Sequence, residues 1–422
     1  MTGKLLDDCF LHDKDRLTHA EALSILTSRL GPVVGVEQVV LAEAAGRILA
    51  ETMTAPRDIP AHTNAAVDGY AFAAADYDAD NGGRFALVGR AAAGHAFRGS
   101  LAQGQAVRIL TGAVMPDGAD TVAMQEDVRL DAGCVTIPAG LKPGANRRLA
   151  GEDVAGGSQL IEASSRLRPQ DVAALAAAGA GEVRCYKRLK VAVISTGDEL
   201  LHSGEPFAEG RVYDANAPMI GALAGIAGHP VTQLGVLPDK VALVREKLKE
   251  AAAQFDVVIT SGGASRGEED HIVKTVDALG SLKLWQLAIK PGRPMSFGQI
   301  GDCAFLGLPG NPVAVFVCFL LYAIPVLTLL GGGRWREPRR YQLPAAFTMP
   351  KRKMGRREFL RGLLLPGPED QLTVKPYSRD GSGLISSLRA SDGFIEVGET
   401  IEAIHEGQAV NFIPYSEFGI FT

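Results

Sequence analysis

The stretch Leu306-Gly-Leu-Pro-Gly-Asn-Pro312 joins an apolar strand-like run, residues 303–308, to an apolar helix-like run that begins near Val313. A turn of this kind leaves backbone N–H groups unpaired at a helix start, where they favour an anion. The arrangement occurs twice more upstream. Residues 189–195 run into Thr196-Gly-Asp-Glu199, and residues 256–260 run into Ser261-Gly-Gly-Ala-Ser-Arg-Gly-Glu-Glu-Asp270. Strand ends that meet polar, glycine-rich, acidic turns describe a crevice at the C-terminal edge of a parallel sheet. The run 303–308 is too apolar for a strand with one solvated face, so helices are expected on both faces. Signals alternate from 189 to about 330, with helices expected at 216–227, 241–254, 269–279 and 313–330 and a strand at 231–236. This is the pattern of a three-layer, doubly wound α/β domain.

Outside that unit the period changes. Residues 17–30 carry a helical apolar stripe with Thr18 as its cap, and residues 39–50 suggest a second helix. From 52 to about 153 short β-type runs (85–88, 106–110, 121–124, 134–137) are separated by glycine and proline turns, and 169–178 again reads as a helix with Pro169 in its first turn. After Pro338 the alternation returns toward two, with strands expected at 359–365, 372–375, 393–397 and 409–414. The chain is therefore expected to be a multidomain α/β protein. Its parts are an N-terminal helical and linker domain (14–55 plus 154–185), a small inserted β domain (56–153), the α/β domain (186–335) and a C-terminal β-barrel-like domain (336–422).

The bulk numbers exclude several classes. With 422 residues, 46% of them hydrophobic and 22% charged, the chain suits a folded multidomain protein rather than a disordered one. A net charge of -5 argues against binding nucleic acid through a globally basic surface, and the basic patches at 187–190 and 334–340 read as solvated surface. Five scattered cysteines show neither a disulfide framework nor paired metal-ligand spacing. No secretion signal is evident at the N-terminus, so the expected location is cytoplasmic. Residues 313–330 approach the length of a membrane span, but Asn311-Pro312 and Pro325 read as a helix start and an interruption. A helix buried against the sheet is expected there, without a membrane.

These residues resemble the MoeA family, the molybdopterin molybdenumtransferases, also found as one half of gephyrin-type proteins. The resemblance runs from Gly46-Arg-Ile48 into the last β domain. It rests on Asp68-Gly-Tyr-Ala71, Arg108-Ile-Leu-Thr-Gly-Ala113, Gly151-Glu-Asp153, Ser195-Thr-Gly-Asp-Glu-Leu200, Ser261-Gly-Gly263, Lys290-Pro-Gly-Arg-Pro294 and Gly307-Leu-Pro-Gly-Asn-Pro312. It implies that the α/β unit is a molybdopterin-binding domain and that the reaction inserts molybdate into adenylylated molybdopterin with release of AMP. It also implies a homodimer whose cleft is shared between the α/β domain of one subunit and the small β domain of the other. Transient contact with molybdopterin adenylyltransferase and with molybdoenzyme chaperones follows from the same likeness.

Such substrates are strongly anionic, so the expected site is made of N–H donors and a few cations. The turns supply Thr196, Gly197, Ser261, Gly262, Gly263, Pro309, Gly310, Asn311 and Pro312, and the stiff Lys-Pro-Gly-Arg turn supplies Lys290 and Arg293. Glu199, Asp239 and Asp270 make sense around an anion when a hard cation such as Mg²⁺ lies between them. The resemblance places Asp239 and Asp270 near that metal and Glu199 near the reacting centre. It also implies that Asp68, Thr111 and Asp153 reach across the dimer toward Glu199 and Lys290. Cys303, inside an apolar strand, reads as core. The chain departs from the family at Thr63-Asn-Ala-Ala-Val67, where the family commonly has Asp-Asn-Ser-Ala-Met. Gln286 stands where a lysine is frequent, and so does Arg293.

Two other functions compete. A molybdopterin adenylyltransferase would share the α/β domain but usually lacks the N-terminal extension and the C-terminal β domain; it would consume ATP with molybdopterin alone. A non-enzymatic, gephyrin-like scaffold would keep its function after loss of Glu199 and Asp270.

Overall fold

The computed structural model describes residues 10, 12, 14, 16–238, 240–262, 271–367 and 370–421. At its centre a six-stranded sheet is ordered Val231–Leu237, Val191–Thr196, Val257–Ser261, Cys303–Leu308, Pro294–Ile300, Ser281–Gln286. The first four of these strands are parallel. The last two extend the sheet as an antiparallel edge beyond the strands expected from the sequence. Pro294 opens its strand, where a missing N–H is harmless.

Both faces are covered, because neighbouring strand residues point opposite ways. Val191, Val193, Leu306 and Leu308 pack with Ile220 and Leu223 of the helix Asn216–Ile226 and with the apolar helix that begins at Pro312. Ala192, Ile194 and Phe305 pack with Val244 and Leu248 of Val241–Gln254 and with Ile272 and Val276 of His271–Leu279. The three layers expected from the sequence are present.

The span Pro312–Leu330 has a mean hydropathy of 2.7 and is 83% buried within the protein. It contains a π-helical turn, Phe319–Ala323, just before Pro325. Proline cannot donate to the preceding turn, and a wider turn there absorbs the missing bond.

Around this unit the N-terminal helix His19–Arg29 starts at a capping box, with Thr18 and Glu21 exchanging hydrogen bonds. The second helix expected over 39–50 does not form. Val36–Val40 is a strand paired antiparallel with Glu182–Tyr186, followed by a single 3₁₀ turn at Leu41–Glu43. Gly46, at φ +76, turns the chain out of helical geometry. The apolar residues 39–49 follow a core shared with Val183 and Cys185, not a helical stripe of their own.

The small β domain holds a six-stranded sheet in which Gly69–Phe72 lies between Thr121–Met124 and Gln105–Ile109. A Cβ on Gly69 would stand 2.0 Å from the Ala123 carbonyl oxygen, so this strand position accepts only glycine. In the C-terminal domain Ile289–Lys290 pairs with the long strand Arg357–Pro366, Lys290 opposite Glu358. The Lys-Pro-Gly-Arg turn is thereby stapled to the last domain. That link positions the site.

Candidate functional site

At the C-terminal edge of the parallel strands Thr196 meets Gly262, and Gly262 shares a cavity with Pro309, Gly310 and Asn311. Gly262, at φ +87, faces Thr196 so closely that a Cβ would stand 3.2 Å from the Thr196 carbonyl oxygen. Between this edge and the C-terminal domain lies a cavity of about 590 Å³. Its walls include Gly262, Lys290, Arg293, Pro309, Gly310 and Asn311 of the expected residues. Arg361, Asp380 and Ser382 from the C-terminal domain complete it, and none of these three was legible from a motif.

Three cations, Lys290, Arg293 and Arg361, and one carboxylate, Asp380, line the cavity, so its charge is only partly offset. Lys290 Nζ lies 2.7 Å from Asp380 Oδ2 and 3.8 Å from Glu358 Oε2, and Arg361 Nη2 lies 3.6 Å from Asp380 Oδ1. The hydrogen bond from Lys290, with the nearby charge of Arg361 adding to it, holds the Asp380 carboxyl below the usual carboxylate range. Glu358 also binds Arg356 at 3.0 Å, which draws it away from Lys290. Asp380 is therefore the main counter-charge that an entering anion must displace or share.

The helix start offers fewer free donors than the sequence suggested. Pro312 has no N–H, and Val313 N donates to the Ser382 carbonyl at 2.9 Å. Ser382 thus joins the helix start to the C-terminal domain.

Next to the cavity, Thr196, Gly197 and Glu199 form the first turn. Gly197 sits at φ +144, and a Cβ there would be 2.5 Å from Glu199 Oε2, so the carboxylate folds back over the glycine. Glu199 is exposed and has no ion-pair partner among the described residues. Gly197→Ala is expected to move that carboxylate and to add backbone strain of ~1–3 kcal/mol. A modest drop in melting temperature with a larger loss of turnover, measured on one preparation, is the expected result. Equal activity per folded molecule would refute it.

Gly263, Asp239 and Asp270 lie outside the described residues. Among the described residues no cluster of His, Cys, Asp or Glu large enough to hold a metal ion occurs. Glu199 is the one member of the expected acidic set whose position is described.

Asp68 and Thr111 come together in the small β domain. Thr111 donates both its backbone N–H and its hydroxyl to Asp68 Oδ1, each at 2.7 Å. Those two bonds, with Arg108 nearby, hold the Asp68 carboxyl below its ordinary value. Asp153 is exposed on a loop whose backbone bonds Ile59. None of the three lines the cavity. Of the divergent positions, Thr63 accepts from Ala150 N at 3.2 Å, Ala65 is buried, and Gln286 ends the edge strand with its carbonyl bound to Leu17 N at 2.9 Å. Cys303 is buried core, its thiol pushed up to about 12 by that burial.

Asn216 opens the helix Asn216–Ile226, capped by Asp214 Oδ1, which accepts from Asn216 N at 2.9 Å and Ala217 N at 3.1 Å. The spacing Asp214, Asn216 before an apolar helical run is a capping signal, and it was available in the sequence.

Three family profiles cover most of the chain. "MoeA N-terminal region (domain I and II)" matches residues 17–179, "Probable molybdopterin binding domain" matches 192–329, and "MoeA C-terminal region (domain IV)" matches 342–415. The chain is 36% identical over 402 residues to a molybdopterin molybdenumtransferase of Haemophilus influenzae, covering 95% of this chain and 99% of that protein. It is 31% identical to that of Bacillus subtilis, covering 89% of each. Among solved structures, the molybdopterin biosynthesis MoeA protein of Pyrococcus horikoshii superposes with a TM-score of 0.81 at 30% identity, over 95% of this chain and 100% of that one.

Proposed function

Because this chain belongs to the MoeA family of molybdopterin molybdenumtransferases, we propose that it inserts molybdate into adenylylated molybdopterin and releases AMP. The observation that carries this reading is the convergence of Lys290, Arg293 and Arg361 on one cavity beside the glycine turns of the sheet edge. A tetrahedral oxyanion needs cationic donors at fixed positions, and charge-assisted bonds are roughly twice as strong as neutral ones. In this reading Lys290 and Arg361 hold molybdate against the C-terminal domain. The phosphates of the substrate lie along the Gly262 and Gly310 turns.

Glu199, at the mouth of the first turn, aligns the attacking oxygen; pre-set charge of this kind is a large catalytic lever. Carboxylate oxygens are the ligands that a hard divalent cation takes. Glu199, with Asp239 and Asp270 from outside the described residues, would hold Mg²⁺, which supplies charge neutralisation on the phosphoanhydride. Asp68 and Thr111, locked to each other in a separate domain, suit a second subunit completing the cleft. A cytoplasmic homodimer is the form we propose.

The test supplies purified protein with adenylylated molybdopterin, molybdate and Mg²⁺ and measures AMP and inserted molybdenum together. Equal, coupled amounts of both are expected. Consumption of ATP with molybdopterin alone, or either product without the other, would overturn the reading.

A further inference from the structure

Asn216 makes contacts that capping does not require. Its side-chain amide bridges two neighbouring strand ends, Nδ2 donating to Ser261 Oγ at 2.8 Å and to the Gly310 carbonyl at 2.7 Å. A carbonyl oxygen can only accept, so Gly310 fixes which end of the amide faces the turns. The other end, Oδ1, has no hydrogen-bond partner among the described residues, in a residue only 9% exposed. At the end of the adjacent strand the fully buried Ser195 hydroxyl is also without a partner among the described residues. A buried polar atom left unpaired costs about 1–3 kcal/mol, and folded proteins retain few of them.

The two groups that Asn216 holds are the immediate supports of the cavity wall. Ser261 precedes Gly262, and Gly310 itself lines the cavity, as does Asn311. The spacing between those turns is set by this amide and by the strand pairing behind it, Ser261 opposite Leu308.

We propose that Asn216 is a positioning residue for the transfer reaction: it fixes the spacing of the Ser261-Gly262 and Pro309-Gly310 turns, and through them the donors that grip the anionic substrate. It does not touch the substrate. The inference rests on the function proposed above, and it assigns a task within that site to a residue whose sealed side chain offers the substrate no contact.

The test compares full-length wild type with Asn216→Ala, Asn216→Asp and Ser261→Ala, following AMP release at varied molybdate and varied adenylylated molybdopterin. Melting curves correct each rate for the folded fraction. A misplacement of about 1 Å can cost about 10²-fold in rate, so Asn216→Ala is expected to lose about that much kcat, with a smaller rise in either KM. Asn216→Asp keeps the size but turns an acceptor toward the Gly310 carbonyl, and it should fall equally far. Ser261→Ala leaves the Gly310 bond intact and should lose less than Asn216→Ala. A merely structural role would lower the melting temperature and leave kcat per folded molecule within about twofold, and that result overturns the proposal. A wild-type protein that released no AMP would instead sink the proposed function, which separates the two failures.

Discussion

Lys290→Ala is expected to lower molybdate-dependent AMP release by about 10²–10³-fold, the usual cost of deleting one well-placed donor to a developing anion. The loss should fall on kcat/KM for molybdate and leave the melting temperature within a few degrees. The reason is that the lysine is 35% exposed and its partner Asp380 is 64% exposed, so the pair adds little to folding. Asp380→Asn should move the other way. It removes the carboxylate that lies 2.7 Å from the ammonium in the free protein, so the KM for molybdate should fall several-fold. Activity titrations on both variants check the pair. A Lys290→Ala protein with normal turnover would mean that the lysine only neutralises local acids.

The same pair sets an acid limit with a definite sign. Asp380 has a depressed value in the folded protein, caused first by the Lys290 hydrogen bond. Its contribution is therefore fully present above the ordinary aspartate value of about 4 and is lost as pH falls through the lower folded value. Competition between Asp380 and an oxyanion should weaken over that lower range. At neutral pH the competition is constant.

Much of this arrangement was legible because it is local. Strand ends followed by glycine turns announce themselves, and the apolar run 303–308 with its helix fixed the central layer. The antiparallel edge was not legible, since Ser281–Gln286 and Pro294–Ile300 are separated by a turn whose chemistry masked the strands beside it. The apolar residues at 39–49 misled for a related reason, because they serve a core formed with residues more than a hundred positions away. Among the site residues, the turns could be named from sequence, whereas Arg361, Asp380 and Ser382 could not. Their place in the cavity depends on the parallel pairing of Ile289–Lys290 with Arg357 and Glu358, a contact between domains that no local pattern encodes. Asn216 is intermediate, since its place at a helix start capped by Asp214 was readable but its bridge to Gly310 needs the folded sheet.

Gly292 gives the sharpest steric test of that cavity. It lies between Lys290 and Arg293 at φ +99, and a Cβ there would stand 2.3 Å from the Cys318 sulfur, with Ile289 Cδ1 at 3.5 Å. The thiol itself approaches the Gly292 carbonyl at 3.4 Å and is buried in the long helix. Gly292→Ala should therefore carry two penalties, overpacking of about 1–3 kcal/mol and left-handed backbone strain of ~1–3 kcal/mol. Removing the sulfur with Cys318→Ala opens the space that the new methyl group needs. In that background Gly292→Ala should regain the overpacking part and keep the strain, for a coupling of about 1–3 kcal/mol in a double-mutant cycle by denaturant unfolding. The KM for molybdate should rise in the single variant and partly recover in the double, because this turn carries both Lys290 and Arg293. If Gly292→Ala is equally destabilising with and without the sulfur, the contact with Cys318 is not what makes glycine necessary, and backbone conformation alone decides the position.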